Sequence, residues 1–79
     1  MLIFERKEFR NQMRLLGITQ EDLIEILYAQ YGITISRGNL SKILNGSVRW
    51  NLELALAISE ILEIETRELF IMKKSNELL

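Results

Sequence analysis

Ser36-Arg37-Gly38-Asn39-Leu40-Ser41-Lys42-Ile43-Leu44-Asn45-Gly46 reads as a short helix with a marked start and a marked stop. Ser36 is suited to cap it, because a serine oxygen accepts a backbone N–H that the first helical turn leaves unbonded. Asn45-Gly46 supplies two residue types that tolerate positive φ, which ends a helix. Between these marks Leu40, Ile43 and Leu44 recur at helical spacing and are expected to face inward. Arg37, Gly38, Ser41, Lys42 and Asn45 are expected to face outward. The surrounding stretch from Ile33 to Leu52 holds Arg37, Lys42 and Arg49 and no carboxylate, although the chain carries a net charge of −1.

Helical signals continue on both sides. A first helix from about Phe4 to Leu16 would bury Phe9, Met13 and Leu16, and Gly17 would end it. Thr19 caps a second helix, and Asp22 three residues on can return a bond to the cap. Leu23, Ile24, Ile26, Leu27 and Tyr31 supply its inner side, and Gly32 closes it. Ile33-Thr34-Ile35, all β-branched, reads as an extended connection. Asn51 caps a fourth helix to about Leu62, with Leu52, Ala55, Leu56, Ile58 and Ile61 or Leu62 inward. A last short helix starts near Glu65-Thr66 and takes in Leu69 and Phe70. The fold class expected is therefore all-α.

Composition bounds the function. Seventy-nine residues, 48% of them hydrophobic, make one domain with one core. The absence of cysteine excludes disulfides, thiolate metal sites and cysteine nucleophiles, and fits a reducing cytosol. No apolar run approaches the ~20 residues that span a bilayer, and Glu5, Arg6 and Lys7 stand where a signal peptide needs apolar residues. A cytoplasmic protein with no membrane association is expected. There is no histidine and no glycine-rich phosphate loop, so neither catalysis nor a cofactor or metal is expected. The low pI near 5.4 argues, as an average, against a nucleic-acid partner. That average hides an asymmetry. Arg6, Lys7, Arg10 and Arg14 outnumber Glu5 and Glu8 at the start, whereas acids predominate in Glu21, Asp22 and Glu25 and from Glu53 onward.

Thr19-Gln20-Glu21-Asp22-Leu23, Ser36 to Lys42, Asn45-Gly46, Asn51-Leu52-Glu53 to Ile58 and Glu68-Leu69-Phe70 follow one another in a characteristic order. Over residues 9–71 the chain resembles the lambda-type repressor and Cro (XRE-type) family of helix-turn-helix transcriptional regulators. The resemblance implies a five-helix lambda repressor-like DNA-binding domain at 1–72, followed by a C-terminal tail at 73–79. Its third helix would lie in the major groove of double-stranded DNA and its second across the backbone. Carried over by position, Arg37, Gly38, Asn39 and Lys42 are the base-contacting candidates. Gln20, Ser36, Ser41, Asn45, Ser47 and Arg49 are the backbone-contacting ones. The activity implied is that of a repressor of phage, mobile-element or bacterial type, occupying an operator as a homodimer. Two features depart from the family pattern: a lengthened connection between Gln20 and Ser36, and Met13 and Leu44 where many relatives pair an arginine with a glutamate. An apolar contact can replace such a pair without leaving a lone buried charge.

The side chains suit these roles on chemical grounds as well. Arginine can offer guanine O6 and N7 two parallel hydrogen bonds, lysine can read guanine or pair with phosphate, and the asparagine amide matches adenine N6 and N7. Gly38 weakens a helix by about 1 kcal/mol relative to alanine and lets a partner approach the backbone closely. Other groups have blander readings. Arg6, Lys7, Arg10 and Arg14 read as solvent charges, with Arg10 and Arg14 the better placed to reach a phosphate. Trp50 reads as a plug against the core, and Tyr28 and Tyr31 as packing for the second helix. Leu69 and Phe70 suit either the monomer's core or a dimer, while Ile71, Met72, Leu78 and Leu79 form an apolar end that a second copy or another protein could cover. A rival reading follows from that end and from the acidic total: a protein-interaction module, whether antirepressor, antitoxin or adaptor, that keeps the helix-turn-helix shape.

Overall fold

The computed structural model describes residues 1–74. Five helices, α1 (Arg6–Leu16), α2 (Gln20–Tyr31), α3 (Arg37–Leu44), α4 (Leu52–Ile61) and α5 (Thr66–Leu69), are bracketed by two short strands, β1 (Leu2–Phe4) and β2 (Phe70–Met72). The all-α, five-helix expectation holds, with 61% of the described residues helical.

Local signals set three helix starts. At α2 the Thr19 hydroxyl accepts the Asp22 N–H at 3.1 Å and the Asp22 carboxylate accepts the Thr19 N–H at 3.0 Å, a complete capping box. The Thr19 backbone N–H, and then its hydroxyl, hold the Asp22 carboxyl below the usual carboxylate range. Ser36 Oγ accepts from Asn39 N–H at 3.1 Å to start α3, and Asn51 Oδ1 accepts from Leu54 N–H at 2.8 Å to start α4. Each such cap is worth about 0.5–2 kcal/mol. The residues between Gln20 and Ser36 divide into the long α2 and an extended connection from Gly32, in which Ile33 and Ile35 pack against the core.

One core unites the elements. Leu23 and Leu27 of α2, Leu40 of α3, Leu54 and Ile58 of α4, and Leu62 and Leu69 beyond it are fully enclosed. Phe9 and Met13 from α1 and Ile43 and Leu44 from α3 complete it. Met13 and Leu44, the apolar stand-ins for the family's ion pair, both lie in this cluster.

Several expectations need correction. The first helix begins at Arg6, because Leu2–Phe4 pairs antiparallel with Phe70–Met72 in the register Phe4 to Phe70. Phe70 accordingly leaves the last helix and opens a strand. Lys73, the first residue of the expected tail, is tied to this pair: its N–H donates to the Met1 carbonyl at 2.7 Å, and its carbonyl accepts from the Met1 ammonium at 2.8 Å. Leu78 and Leu79 lie outside the described residues. Leu16 is exposed; the chain turns at Gly17 (φ 68°), and Ile18 takes the inner seat instead, its N–H bonded to the Met13 carbonyl. Asn45 keeps a negative φ, so Gly46 alone provides the left-handed residue after α3. On α4 the inner row is Leu54, Ile58 and Leu62, while Leu52 and Leu56 are 73% and 49% exposed. Tyr28 is exposed, whereas Tyr31 is half-buried and its hydroxyl donates to Glu60 at 2.8 Å.

The strands close an aromatic cluster. Phe4 meets Phe9 edge-on and Trp50 and Phe70 at a tilt, and Trp50 meets Phe70 edge-on with ring centres 4.7 Å apart. Trp50 is thus the plug expected of it. Its indole N–H finds no acceptor among the described residues, a loss of about 1–3 kcal/mol that the surrounding ring contacts offset.

Candidate nucleic-acid interface

The candidate interface is built on α3. Leu40, Ile43 and Leu44 anchor the helix in the core, and Arg37, Gly38, Asn39, Lys42 and Asn45 are left exposed, with Ser41 half-buried. At about 100° per residue, Gly38 lies near the middle of the outer face, beside Asn45 and Lys42, and Arg37 and Lys42 stand roughly 140° apart around the axis. The two cations bracket one face rather than opposing each other. At Gly38 an added Cβ would meet no atom within 4 Å, so packing within the chain does not require glycine there. Its effect is to leave the centre of the face low and its backbone open.

Arg37 has an acidic partner on the neighbouring helix α2. Its guanidinium contacts the Glu21 carboxylate of α2 at 3.1 Å, with both side chains about two-thirds or more exposed. An ion pair so open to water is worth only about 0–1 kcal/mol, so it steers Arg37 without locking it. Nothing in the order of residues pointed to this pair, since it depends on how α2 and α3 cross.

The backbone-contacting candidates fall into two places. Gln20, Ser41 and Asn45 line a groove that runs from the start of α2 to the end of α3, with Arg10 and Arg14 of α1 on its other wall. Arg49 lies in the loop after α3 and shares a second groove with Asn45, Gly46 and Arg6. Ser47 follows in the turn between Asn45 and Arg49; its N–H donates to Asn45 Oδ1 at 3.0 Å, which fixes the turn that carries it. Ser36 Oγ is occupied as the α3 cap, leaving its remaining hydrogen-bonding capacity at the mouth of the helix. All ten candidates therefore lie on α3, at the start of α2 or in the turns flanking α3.

A helix-turn-helix of this kind is matched by a known family profile, the Cro/C1-type HTH DNA-binding domain, over residues 8–75. The chain belongs to the Cro/C1-type HTH family. Within that family α2 and α3 are the two helices of the motif, and α3, the second of them, is the one carrying the open polar face described above. Membership makes the chain, in general terms, a DNA-binding regulator. Neither a curated protein nor a solved structure matches the sequence. Among the described residues no helix is long and apolar enough to cross a membrane, and no group of acidic side chains is arranged to hold a metal ion.

Proposed function

We propose that this Cro/C1-type domain is a sequence-specific regulator of transcription, a repressor of phage, mobile-element or bacterial type that inserts α3 into the major groove of an operator. The observation that carries this reading is the outer face of α3: an exposed surface with Arg37, Asn39 and Lys42 around a bare Gly38, and no carboxylate on the helix itself. Arg37, Gly38, Asn39 and Lys42 would meet base edges. Gln20, Ser36, Ser41, Asn45, Ser47 and Arg49 would hold the sugar-phosphate chain on either side. One copy reads half a site, so two copies related by a two-fold axis would place their α3 helices about 34–36 Å apart on a palindrome.

Phosphate contacts make such binding detectable before any operator is known. A polarisation titration with random-sequence duplex is expected to give a dissociation constant of about 10⁻⁴–10⁻⁶ M at physiological salt, tightening at low salt and vanishing at high salt. Absence of binding at low salt would contradict the reading. It would favour instead a protein-interaction module, an alternative supported by the exposed Leu52, Leu56, Ile71 and Met72.

A further inference from the structure

We infer that α1 is a second phosphate-binding ridge, in which Arg6, Arg10 and Arg14 grip the strand bordering the groove that α3 enters. The inference rests on the DNA-binding reading above and extends the contact surface to a helix outside the helix-turn-helix.

Three observations carry it. Arg6, Arg10 and Arg14 recur every four residues, which stacks them along one side of α1. Like charges at that spacing oppose helix formation, a penalty that intramolecular ion pairs could remove. They do not. Among the described residues the ion pair formed is Arg37 to Glu21, and the α1 arginines have no carboxylate partner. Glu8, the acid within α1, lies roughly 200° around the axis from Arg6 and cannot neutralise the row.

The position of the row supplies the third observation. Arg6, Arg10 and Arg14 line the same groove as Gln20, Ser41 and Asn45, the side chains assigned above to the sugar-phosphate chain. Arg6 also borders the groove of Arg49. The cationic row is therefore continuous with the proposed interface and not on a remote face. Its three guanidiniums cover about 12 Å of helix, the axial length of three to four phosphates on one strand. Arginine is also the side chain best shaped to hold a phosphate through two parallel N–H bonds. This placement shows how an acidic protein can present a local basic surface: Arg6, Arg10 and Arg14 line the groove that reaches Ser41 and Asn45 of α3, and Arg6 joins Arg49 in the next one.

The test is the salt dependence of binding to random-sequence duplex by the full chain and by an Arg10→Gln/Arg14→Gln variant. Both positions are exposed, and an unchanged melting temperature confirms that the variant folds. Loss of two phosphate contacts should flatten the slope of log K against log salt by about 1.8, at about 0.9 per phosphate. Affinity at low salt should fall at least tenfold, and Arg10→Lys/Arg14→Lys should restore most of the slope. A variant that binds with the parent's slope would overturn the inference while leaving the reading through α3 intact. A parent chain that binds no duplex would overturn both.

Discussion

Replacing Arg37 by alanine should cost about 1–3 kcal/mol on a duplex selected from a random pool, roughly a tenfold to hundredfold loss of affinity. Binding to random duplex should change far less. The difference arises because Arg37 stands at the first turn of α3, where a guanidinium can meet guanine O6 and N7 together, and that contact exists only on the preferred sequence. Glu21 sharpens the expectation. Its carboxylate holds the guanidinium at 3.1 Å from the α2 side, so Arg37 is already drawn toward the junction of α2 and α3. With both partners exposed, the pair is weak enough to yield to a base edge. Competition titrations of parent and variant on selected and random duplexes measure the effect. Equal losses on both would make Arg37 a phosphate contact, and no loss on the selected duplex would remove it from the reading set.

The second large effect concerns stability. Ile58→Ala should lower the unfolding free energy by about 2–5 kcal/mol, because Ile58 is fully enclosed and its removal leaves a cavity that neighbouring side chains fill only in part. For a domain of this size that corresponds to a fall in melting temperature of at least about 8 °C. Leu52→Ala and Leu56→Ala, on the same helix but exposed, should stay within about 0.5 kcal/mol of the parent. Thermal melts of the three variants check the phase of α4. A severe loss at Leu52 or Leu56 with a mild one at Ile58 would mean that the helix is rotated.

This contrast on α4 shows where the sequence is informative. In α3 the apolar residues Leu40, Ile43 and Leu44 are separated by polar ones, so a single helical phase buries them all, and the inward and outward sets were readable. In α4, Leu52, Leu54, Ala55, Leu56, Ala57 and Ile58 crowd together, several phases bury a comparable number, and only packing against α2 and α5 selects one. Helix caps at Thr19, Ser36 and Asn51 were legible because each acts within three residues. The pairing of Leu2–Phe4 with Phe70–Met72 was not, since each segment is only 3 residues long, too short to show alternation, and the partners lie at opposite ends of the described chain. The α4 to α5 turn was equally hidden: Glu63 adopts φ 56° there, where a glycine would have announced it.

The candidate site divides along the same line. Residues on α3 and its flanking turns follow from local pattern and from the resemblance to the Cro and repressor family. Their neighbours do not. Glu21 beside Arg37, and Arg10 and Arg14 beside Gln20, Ser41 and Asn45, are brought together by helix crossings that no short stretch encodes. The apolar end shows both cases. Leu69 and Phe70 are claimed by the monomer's own core, and Ile71 and Met72 remain exposed, as their positions in a terminal segment allowed.

Contact with DNA through the outer face of α3 can be observed directly. Titration of isotope-labelled protein with a selected duplex, followed by amide and side-chain NMR shifts, tests it residue by residue. The predicted result is a contiguous set of large shifts at Arg37 to Lys42, extending to Gln20 and to Asn45 through Arg49, with the outer face of α4 at Leu52 and Leu56 unmoved. Saturable binding that leaves Arg37 to Lys42 unshifted and perturbs α4 instead would contradict it.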